Sequence, residues 1–289
     1  MACAKHFVGD GGTENGIDQG NTILSEEKLR DIHLPPYISS IEAGVGSIMI
    51  SYSSWNGNKL HGHQELITDV LKDELGFEGF VISDFNGIEQ LNANYDTAVK
   101  TAINAGIDMN MQYDYVQFIE ALTQLVNEEQ VSMDRIDDAV RRILTVKFKM
   151  GLFENHTADL SLKDTVGCVS HREVAVQAVR ESLVLLKNDG IMPLPKTQNT
   201  FLIAGSKAKQ VGTLCGGWTI SWQGAVGAIT PGTTVYEAVT EMVGTENVVF
   251  TQNYNQIPDA DYAIVVVGEK PYAEGQGDIY FTNSGGFVL

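Results

Sequence analysis

The chain has 289 residues, enough for one large domain or two ordinary ones, and its 43% hydrophobic and 19% charged residues are typical of a globular protein. Acidic residues outnumber basic ones by 37 to 19, so the formal net charge is −18. Nucleic acids and anionic membrane surfaces repel such a chain, and we expect neither as a partner. No apolar run approaches the roughly 18 residues of a membrane helix, so we expect no membrane insertion.

In the first half of the chain, short apolar runs alternate with helical patterns. Strands are predicted at residues 2–7, 46–52, 79–84 and 105–111. Helices are predicted at residues 63–76, 94–106, 114–130 and 132–153, the last with Ser132 as its N-cap. This alternation indicates βαβ units and a parallel sheet.

The number of predicted units is too small for a closed barrel. A (β/α)₈ barrel takes about 250 residues, and residues 1–153 supply about half of that. We therefore predict an α/β fold that begins with the C-terminal portion of a (β/α)₈ TIM-type barrel. We expect the chain to be a fragment, with its earlier barrel strands and any targeting segment upstream of Met1.

A second αβ pattern follows a linker predicted at residues 154–170. The pattern predicts helices at 171–190, with an extended end, and at 233–244, and buried strands at 200–208 and 261–269. We interpret residues 171–289 as an open αβ sheet that is incomplete at its C-terminus.

The stretch "GFVISDFNGI" carries Asp84 at the end of a buried strand, beside Phe85. In parallel αβ barrels the catalytic groups lie at the C-terminal ends of strands, so a nucleophile, a general base or a metal ligand would suit this position. An N-cap of the following turn is an equally good interpretation on spacing alone.

The other polar candidates in the first half are Lys5, His6 and Tyr52, each predicted at or just beyond a strand end. Lys5 and His6 can donate hydrogen bonds to sugar hydroxyls or to phosphates, although a packed histidine is a serious alternative. The glycines that follow lack a GxxxxGK[ST] or GxGxxG pattern, which favours a surface loop over a phosphate loop. Tyr52 could stack on a ligand or form the edge of the core.

Histidines and cysteines give no metal-binding pattern. His61 and His63 stand at i, i+2 without a supporting cluster, so we interpret them as a helix entry. Cys3, Cys168 and Cys215 are scattered and indicate neither a disulfide framework nor a zinc site. We expect all three cysteines to be small buried hydrophobic residues.

Two loops in the second half are candidates for ligand contact. "GGWTISWQG" places Trp218 and Trp222 in a glycine-flanked loop, where indole rings could stack on sugars. "VVVGEKPYAEGQGD" runs from a strand into a loop that carries Glu274. A solvated charged loop is the common alternative, but two acids beside Tyr272 raise the odds of a functional role.

Together these segments resemble glycoside hydrolase family 3, the β-glucosidase and exo-β-glucanase type. The motifs occur in the family's order across almost the whole chain: "AKHFVGDGGTENGIDQGNT", "IMISYSSWNG", "GFEGFVISDFNGI", "DDAVRRILTVKFKMGLFE", "AVRESLVLLKN", "CGGWTISWQG" and "VGEKPYAEGQGD". The resemblance implies a (β/α)₈ barrel followed by an αβ sandwich, here 1–153 and a truncated 171–289, with the active site between them. It implies a retaining hydrolase that releases glucose from the non-reducing end of β-glucosides or β-glucans, without a cofactor or metal.

The resemblance also assigns roles residue by residue. Asp84 matches the nucleophile and Glu274 the acid/base, while Lys5 and His6 match the pair that holds glycosyl hydroxyls. Tyr52 matches a residue near the nucleophile. Phe85 and Trp222 match the aromatic pair that grips the next sugar, and Trp218 lies in the same loop as Trp222. The family often has Trp where this chain has Phe85, which could weaken that stacking or suit another linkage.

Several alternatives stay open. The β-N-acetylglucosaminidases of the family use a loop histidine as acid/base, and "VGDGGTENGIDQGNT" contains none, which favours the glucosidase subgroup. A β-xylosidase and a non-catalytic carbohydrate-binding homologue are two others, and retention of both Asp84 and Glu274 argues against the latter. A phosphate-binding aldolase or isomerase with Lys5 as a Schiff-base lysine is a third. The family further implies a secreted or periplasmic parent protein.

Overall fold

The computed structural model describes residues 1–252, 255, 257–278, 280–281 and 287–288. The chain divides into two units, Met1–Ala158 with Asp278–Leu289, and Asp159–Gly277. The strands of the first unit are β1 Cys3–Phe7, β2 Asn21–Thr22, β3 Ser47–Ile50, β4 Ser54–Trp55, β5 Asn58–Lys59 and β6 Phe80–Ile82. Its helices are α1 Glu26–His33, α2 Pro35–Glu42, a π-helix Glu65–Glu74, α3 Tyr95–Ala105, α4 Tyr115–Asn127 and α5 Met133–Lys149.

The second unit contains the helices α6 Val169–Ser182, α7 Val211–Cys215 and α8 Val235–Val243. Its strands are β7 Phe201–Ala204, β8 Val248–Thr251 and β9 Tyr262–Val265. Near the C-terminus, β10 Tyr280–Phe281 pairs antiparallel with β11 Phe287–Val288. Along the described part of the chain, no helix is both long and apolar enough to span a membrane.

A parallel sheet in the order β1-β3-β6 organises the first unit. A single parallel bridge between Ile82 and Met109 extends the pairing beyond β6. The helices of this unit pack on the sheet through one continuous apolar cluster, which includes Phe7, Ile48, Ile50, Val81 and Ile107. The predicted α/β class with a parallel sheet is confirmed, and the sheet brings the C-terminal ends of β1, β3 and β6 to the same edge.

Helix ends follow the capping residues of the sequence. The Ser132 side chain accepts a hydrogen bond from Arg135 N at the start of α5, as predicted. α3 begins after Asn94, whose side chain accepts from Thr97 N, and ends at Gly106 in a left-handed conformation with φ 116°. In the second unit, Thr234 and Glu237 form a capping box at the start of α8.

The predicted helix at 63–76 is shorter and is wound as a π-helix. Leu75 N donates to Val70 O, five residues back, at 2.9 Å. The apolar residues at 66, 67, 70 and 71 are buried as predicted, because the same spacing faces one side in either winding. The predicted strand at 105–111 is reduced to the bridge at Met109.

Two expectations about burial are wrong. β9 was expected to be a buried strand, but it lies at the edge of the β8-β7-β9 sheet and its residues alternate between half-buried and exposed. β7, the central strand, is buried at all four positions. The cysteines were expected to be buried, yet Cys3 and Cys215 are exposed and Cys168 is half-buried.

Candidate active site

Asp84 lies two residues beyond the end of β6, and its side chain is 22% exposed. The backbone N–H of Asp84 donates to His61 Nε2 at 2.9 Å, and its Oδ1 accepts from Phe85 N at 2.7 Å. The short helix that follows, Gly87–Gln90, has Asn86 as its N-cap residue and no side-chain cap. Asp84 therefore does not cap that helix, and its second carboxylate oxygen points elsewhere.

That second oxygen, Asp84 Oδ2, lies 3.8 Å from His6 Nε2. The other ring nitrogen of His6, Nδ1, lies 3.4 Å from Asp10 Oδ2, and Ser51 Oγ donates to Asp10 Oδ1 at 3.3 Å. The hydrogen bond from His6 lowers the pKa of Asp10 against the opposing effect of burial. The His6 ring thus stands between two carboxylates, one of them Asp84.

Lys5 and His6 lie within β1 rather than at its end, because the strand continues to Phe7. The pairing of β1 with β3 is irregular between Ala4 and Phe7, so the regular alternation of side chains does not apply to the two residues between them. Lys5 is exposed and His6 is half-buried.

Tyr52 follows β3 and stands near Asp84. Burial raises the pKa of the Tyr52 phenol, and the charge of Asp84 raises it further. Its ring centroid lies 5.7 Å from that of His61, and its carbonyl accepts a hydrogen bond from Lys59 Nζ at 2.9 Å.

Phe85 is exposed and meets Tyr113 edge to face, with 4.7 Å between the ring centroids. Tyr113 N donates to Asn86 Oδ1, and Asn86 N donates to Met111 O at 2.8 Å. These bonds tie the segment after β6 to the segment after Met109. An exposed aromatic pair therefore stands next to Asp84, and the sequence had indicated only its Phe85 half.

The sequence had also missed Asp10 and had interpreted His61 only as a helix entry. Burial lowers the pKa of His61 to about 3. No spacing rule links His61 to its partner, because it binds a backbone N–H 23 positions away. For Asp10, the i, i+4 separation from His6 was the available signal.

The second unit brings the other three predicted residues into two connected loops. Trp218 and Trp222 are exposed, and Trp218 N donates to Trp222 O at 2.8 Å. Gln223 uses both ends of its amide on one residue: Ala273 N donates to Oε1 at 2.9 Å, and Nε2 donates to Ala273 O at 3.2 Å. Glu274, the next residue, has φ 53°, a left-handed conformation that is uncommon outside glycine and is found at functional sites.

The first unit therefore gathers His6, Tyr52, Asp84 and Phe85, with Lys5 next to His6 in the chain, and the second gathers Trp218, Trp222 and Glu274. Within the described residues, no group of three or more His, Cys, Asp or Glu side chains is arranged to hold a metal ion. In the first unit a carboxylate thus lies at the carboxyl end of a parallel strand with a histidine facing it, the edge at which parallel αβ barrels place catalytic groups.

Comparison with known proteins gives the family. Residues 1–146 match the glycosyl hydrolase family 3 N terminal domain, and residues 183–283 match the corresponding C-terminal domain. The chain is 34% identical to a lysosomal beta glucosidase of Dictyostelium discoideum, over 97% of this chain and 38% of that protein. It is 33% identical to a periplasmic beta-glucosidase of Salmonella typhimurium, over 84% of this chain and 32% of that protein.

A solved structure is similar as well. The exo-1,3/1,4-beta-glucanase of a Pseudoalteromonas species is 40% identical, with a TM-score of 0.87 over 96% of this chain and 36% of that chain. The chain thus spans between about a third and two fifths of the length of these relatives. It belongs to glycosyl hydrolase family 3.

Proposed function

We propose that the protein is a retaining glycoside hydrolase that releases glucose from the non-reducing end of β-glucosides or β-glucans. The observation that carries the proposal is Asp84, a carboxylate delivered by a parallel strand and faced by His6 across 3.8 Å. Relatives named beta glucosidase and exo-beta-glucanase support the same activity. A net charge of −18 is compatible with a neutral sugar substrate.

We also propose a domain architecture within the α/β class. Residues 1–153 belong to a (β/α)₈ barrel, 154–170 are a linker and 171–289 belong to an αβ sandwich. The parallel order β1-β3-β6 and the separate β8-β7-β9 sheet support it.

Asp84 and Glu274 carry the chemistry in this proposal. A carboxylate oxygen of Asp84 attacks the anomeric carbon as the bond to the leaving oxygen breaks, and the Glu274 carboxyl proton moves to that oxygen. Glu274, now ionised, takes a proton from water, whose oxygen attacks the same carbon and releases the Asp84 carboxylate. Two displacements leave the anomeric configuration unchanged.

The remaining residues bind the sugar. Lys5 and His6 hold hydroxyls of the glycosyl unit, and Tyr52 lies beside the nucleophile. Phe85, Trp218 and Trp222 offer aromatic faces to the next sugar; all three are exposed, as a stacking role requires. No cofactor is needed for this reaction.

Covalent trapping tests the assignment. A 2-fluoro-glucosyl inactivator with a dinitrophenyl leaving group is incubated with the full-length protein that carries this chain, and the labelled peptide is identified by mass spectrometry. We expect the label on Asp84. Asp84→Asn should lose turnover by about 10⁴-fold or more, the scale on which loss of an essential catalytic group acts.

Asp96→Asn, at an exposed position in the first turn of α3, is the matched control and should keep both labelling and turnover. A folded protein that binds β-glucan but takes no label would favour a carbohydrate-binding homologue. Labelling by the xylosyl analogue in preference to the glucosyl one would identify a β-xylosidase.

We propose in addition that the parent protein works in the periplasm or outside the cell. The periplasmic relative supports this location, whereas the Dictyostelium relative is lysosomal.

A further inference from the structure

His61 is among the most deeply buried polar side chains of the first unit, and its ring touches the proposed site on three sides. It has 0% exposure and belongs to the short helix Leu60–Gly62. Nε2 accepts from Asp84 N at 2.9 Å, and the ring meets Tyr52 at a tilt of 65°. A Cβ added at Gly87 would collide with the His61 ring, so glycine at 87 gives the imidazole its space.

The hydrogen bond fixes the protonation state of the ring. Because Asp84 N–H is the donor, Nε2 carries no proton, and the neutral imidazole has its proton on Nδ1. Nδ1 is buried and has no hydrogen-bond partner among the described residues. Since none of the described residues offers an acceptor to Nδ1, the Asp84 N–H is the group that selects this tautomer.

The bond also fixes the position of Asp84. The residue stands beyond the last ladder pair of β6 with β3, which joins Met49 to Ile82, so the strand ladder no longer holds it. Its carboxylate is oriented through the adjoining backbone, since Oδ1 accepts from Phe85 N. A shift of the Asp84 amide would move the carboxylate with it.

We propose that His61 is a positioning residue for the reaction, holding Asp84 at the geometry of attack through its backbone N–H. This inference rests on the proposed function, in which Asp84 is the nucleophile. His61 does not touch the substrate in this role. Low basicity fits the role, since burial keeps the ring neutral far below neutral pH.

The test compares an acceptor with an apolar residue at position 61. In His61→Gln the amide oxygen can accept from Asp84 N, and in His61→Leu nothing can. The first-order rate of Asp84 labelling by the 2-fluoro-glucosyl inactivator is measured separately from its binding constant, in the full-length protein. A misplacement of about 1 Å can cost on the order of 10²-fold in rate. We expect that loss in His61→Leu with little change in binding, and recovery of most of the rate in His61→Gln.

His63→Gln is the matched control, because this half-buried histidine packs on Trp55, with ring centroids 5.4 Å apart, whereas the hydrogen bond to Asp84 N comes from His61. It should label at the wild-type rate. Equal losses in His61→Gln and His61→Leu would mean that the ring acts only by packing and would overturn the inference. So would a folded His61→Leu that labels at the wild-type rate.

One measurement needs no variant that could fail to fold. In the wild-type protein, with ¹⁵N-labelled histidine assigned by linkage to Leu60, His61 should show a proton on Nδ1 and none on Nε2. A proton on Nε2 would overturn the inference, since Asp84 N–H could not donate to it. A wild-type label on another carboxylate would instead overturn the proposed function, and this inference with it.

Discussion

At the residue scale, His6 and His61 flank Asp84 in opposite ways. His6 offers a ring nitrogen to the Asp84 carboxylate across 3.8 Å and shares its other nitrogen with Asp10. His61 accepts from the Asp84 backbone and is fully buried. A histidine nitrogen that accepts a hydrogen bond carries no proton, and burial keeps the His61 ring neutral.

Neutral His61 should make stability depend on pH. Its pKa falls from 6.5 to about 3 on folding, so between these values the unfolded state binds a proton that the native state does not. The free energy of unfolding should therefore be highest above pH 6.5 and decrease as pH falls towards 3, by up to about 1.4 kcal/mol per unit. Urea unfolding at pH 7 and pH 5 measures it.

His61→Gln should reduce the slope of the free energy of unfolding against pH, because glutamine does not titrate. His156→Gln, at an exposed position, should leave the slope as it is in the wild type. If the three proteins lose the same stability between pH 7 and pH 5, His61 is not the group that titrates.

At the scale of secondary-structure elements, a buried ion pair holds β6 in place. Asp108 is fully buried; its Oδ1 accepts from Lys72 Nζ at 2.8 Å and its Oδ2 from Val81 N at 2.8 Å. Arg135 also donates to Asp108. The carboxylate thus joins the π-helix, α5 and the strand that leads to Asp84.

Asp108→Ala should destabilise the first unit by about 3–5 kcal/mol, because Lys72 keeps a buried charge without its close partner. The midpoint of urea unfolding measures the loss. Asp69→Ala removes an exposed carboxylate from the same π-helix and should change stability by no more than about 0.5 kcal/mol. Similar losses in both variants would contradict this account of β6.

The conformation of the loop before Glu274 depends on the side-chain amide of Gln223. Gln223 pairs with both backbone groups of Ala273, so Gln223→Leu should loosen the proposed acid/base. Hydrolysis of an alkyl glucoside, which needs protonation of its leaving group, should slow by up to about 10²-fold. A dinitrophenyl glucoside should be hydrolysed almost as before.

Gln177→Leu, on the exposed surface of α6, is the control and should affect neither substrate. A loss of the same size on both substrates would show that Gln223 does not act through Glu274.

How much the sequence could predict depended on where the partner of each residue lies. Ser132 marked the start of α5 correctly because capping is a local interaction. The place of Asp84 just beyond a strand could be predicted because a buried strand is visible as an apolar run. The position of β9 at a sheet edge could not be read, since composition does not reveal strand order. His61 was missed because its partner is a distant backbone group, and the π-helix because its apolar spacing also fits an α-helix.

At the scale of the whole molecule, the two units differ in how their helices are held. α5 in the first unit buries Ala139 and Val146, whereas α6 in the second has no buried residue over 14 positions. The exposed apolar side chains of and after α6 include Val174, Val179, Leu183 and Leu186. An isolated helix of this length is marginal in water.

Hydrogen exchange of the 289-residue chain should therefore show early exchange in α6 and late exchange in β3 and β6, which are enclosed by the core. α5, which is of similar length and partly buried, is the internal comparison. Protection of α6 equal to that of α5 would contradict the prediction.

The hydrogen bonds around Asp84 determine how well this segment of the chain tolerates insertions. Ser83 N donates to Met109 O, Asp84 N to His61 and Asn86 N to Met111 O, so three of four consecutive residues are each bonded to a different distant partner. An extra residue in this segment would therefore break at least one of these hydrogen bonds. In a scan of single-residue insertions, we expect insertions at positions 83–86 to abolish folding or activity. Insertions in the turn at 128–130, whose backbone N–H groups bond to the end of α4, should be tolerated. The segment that carries Asp84 would then tolerate changes of length least, although residues 83–86 belong to no helix or strand.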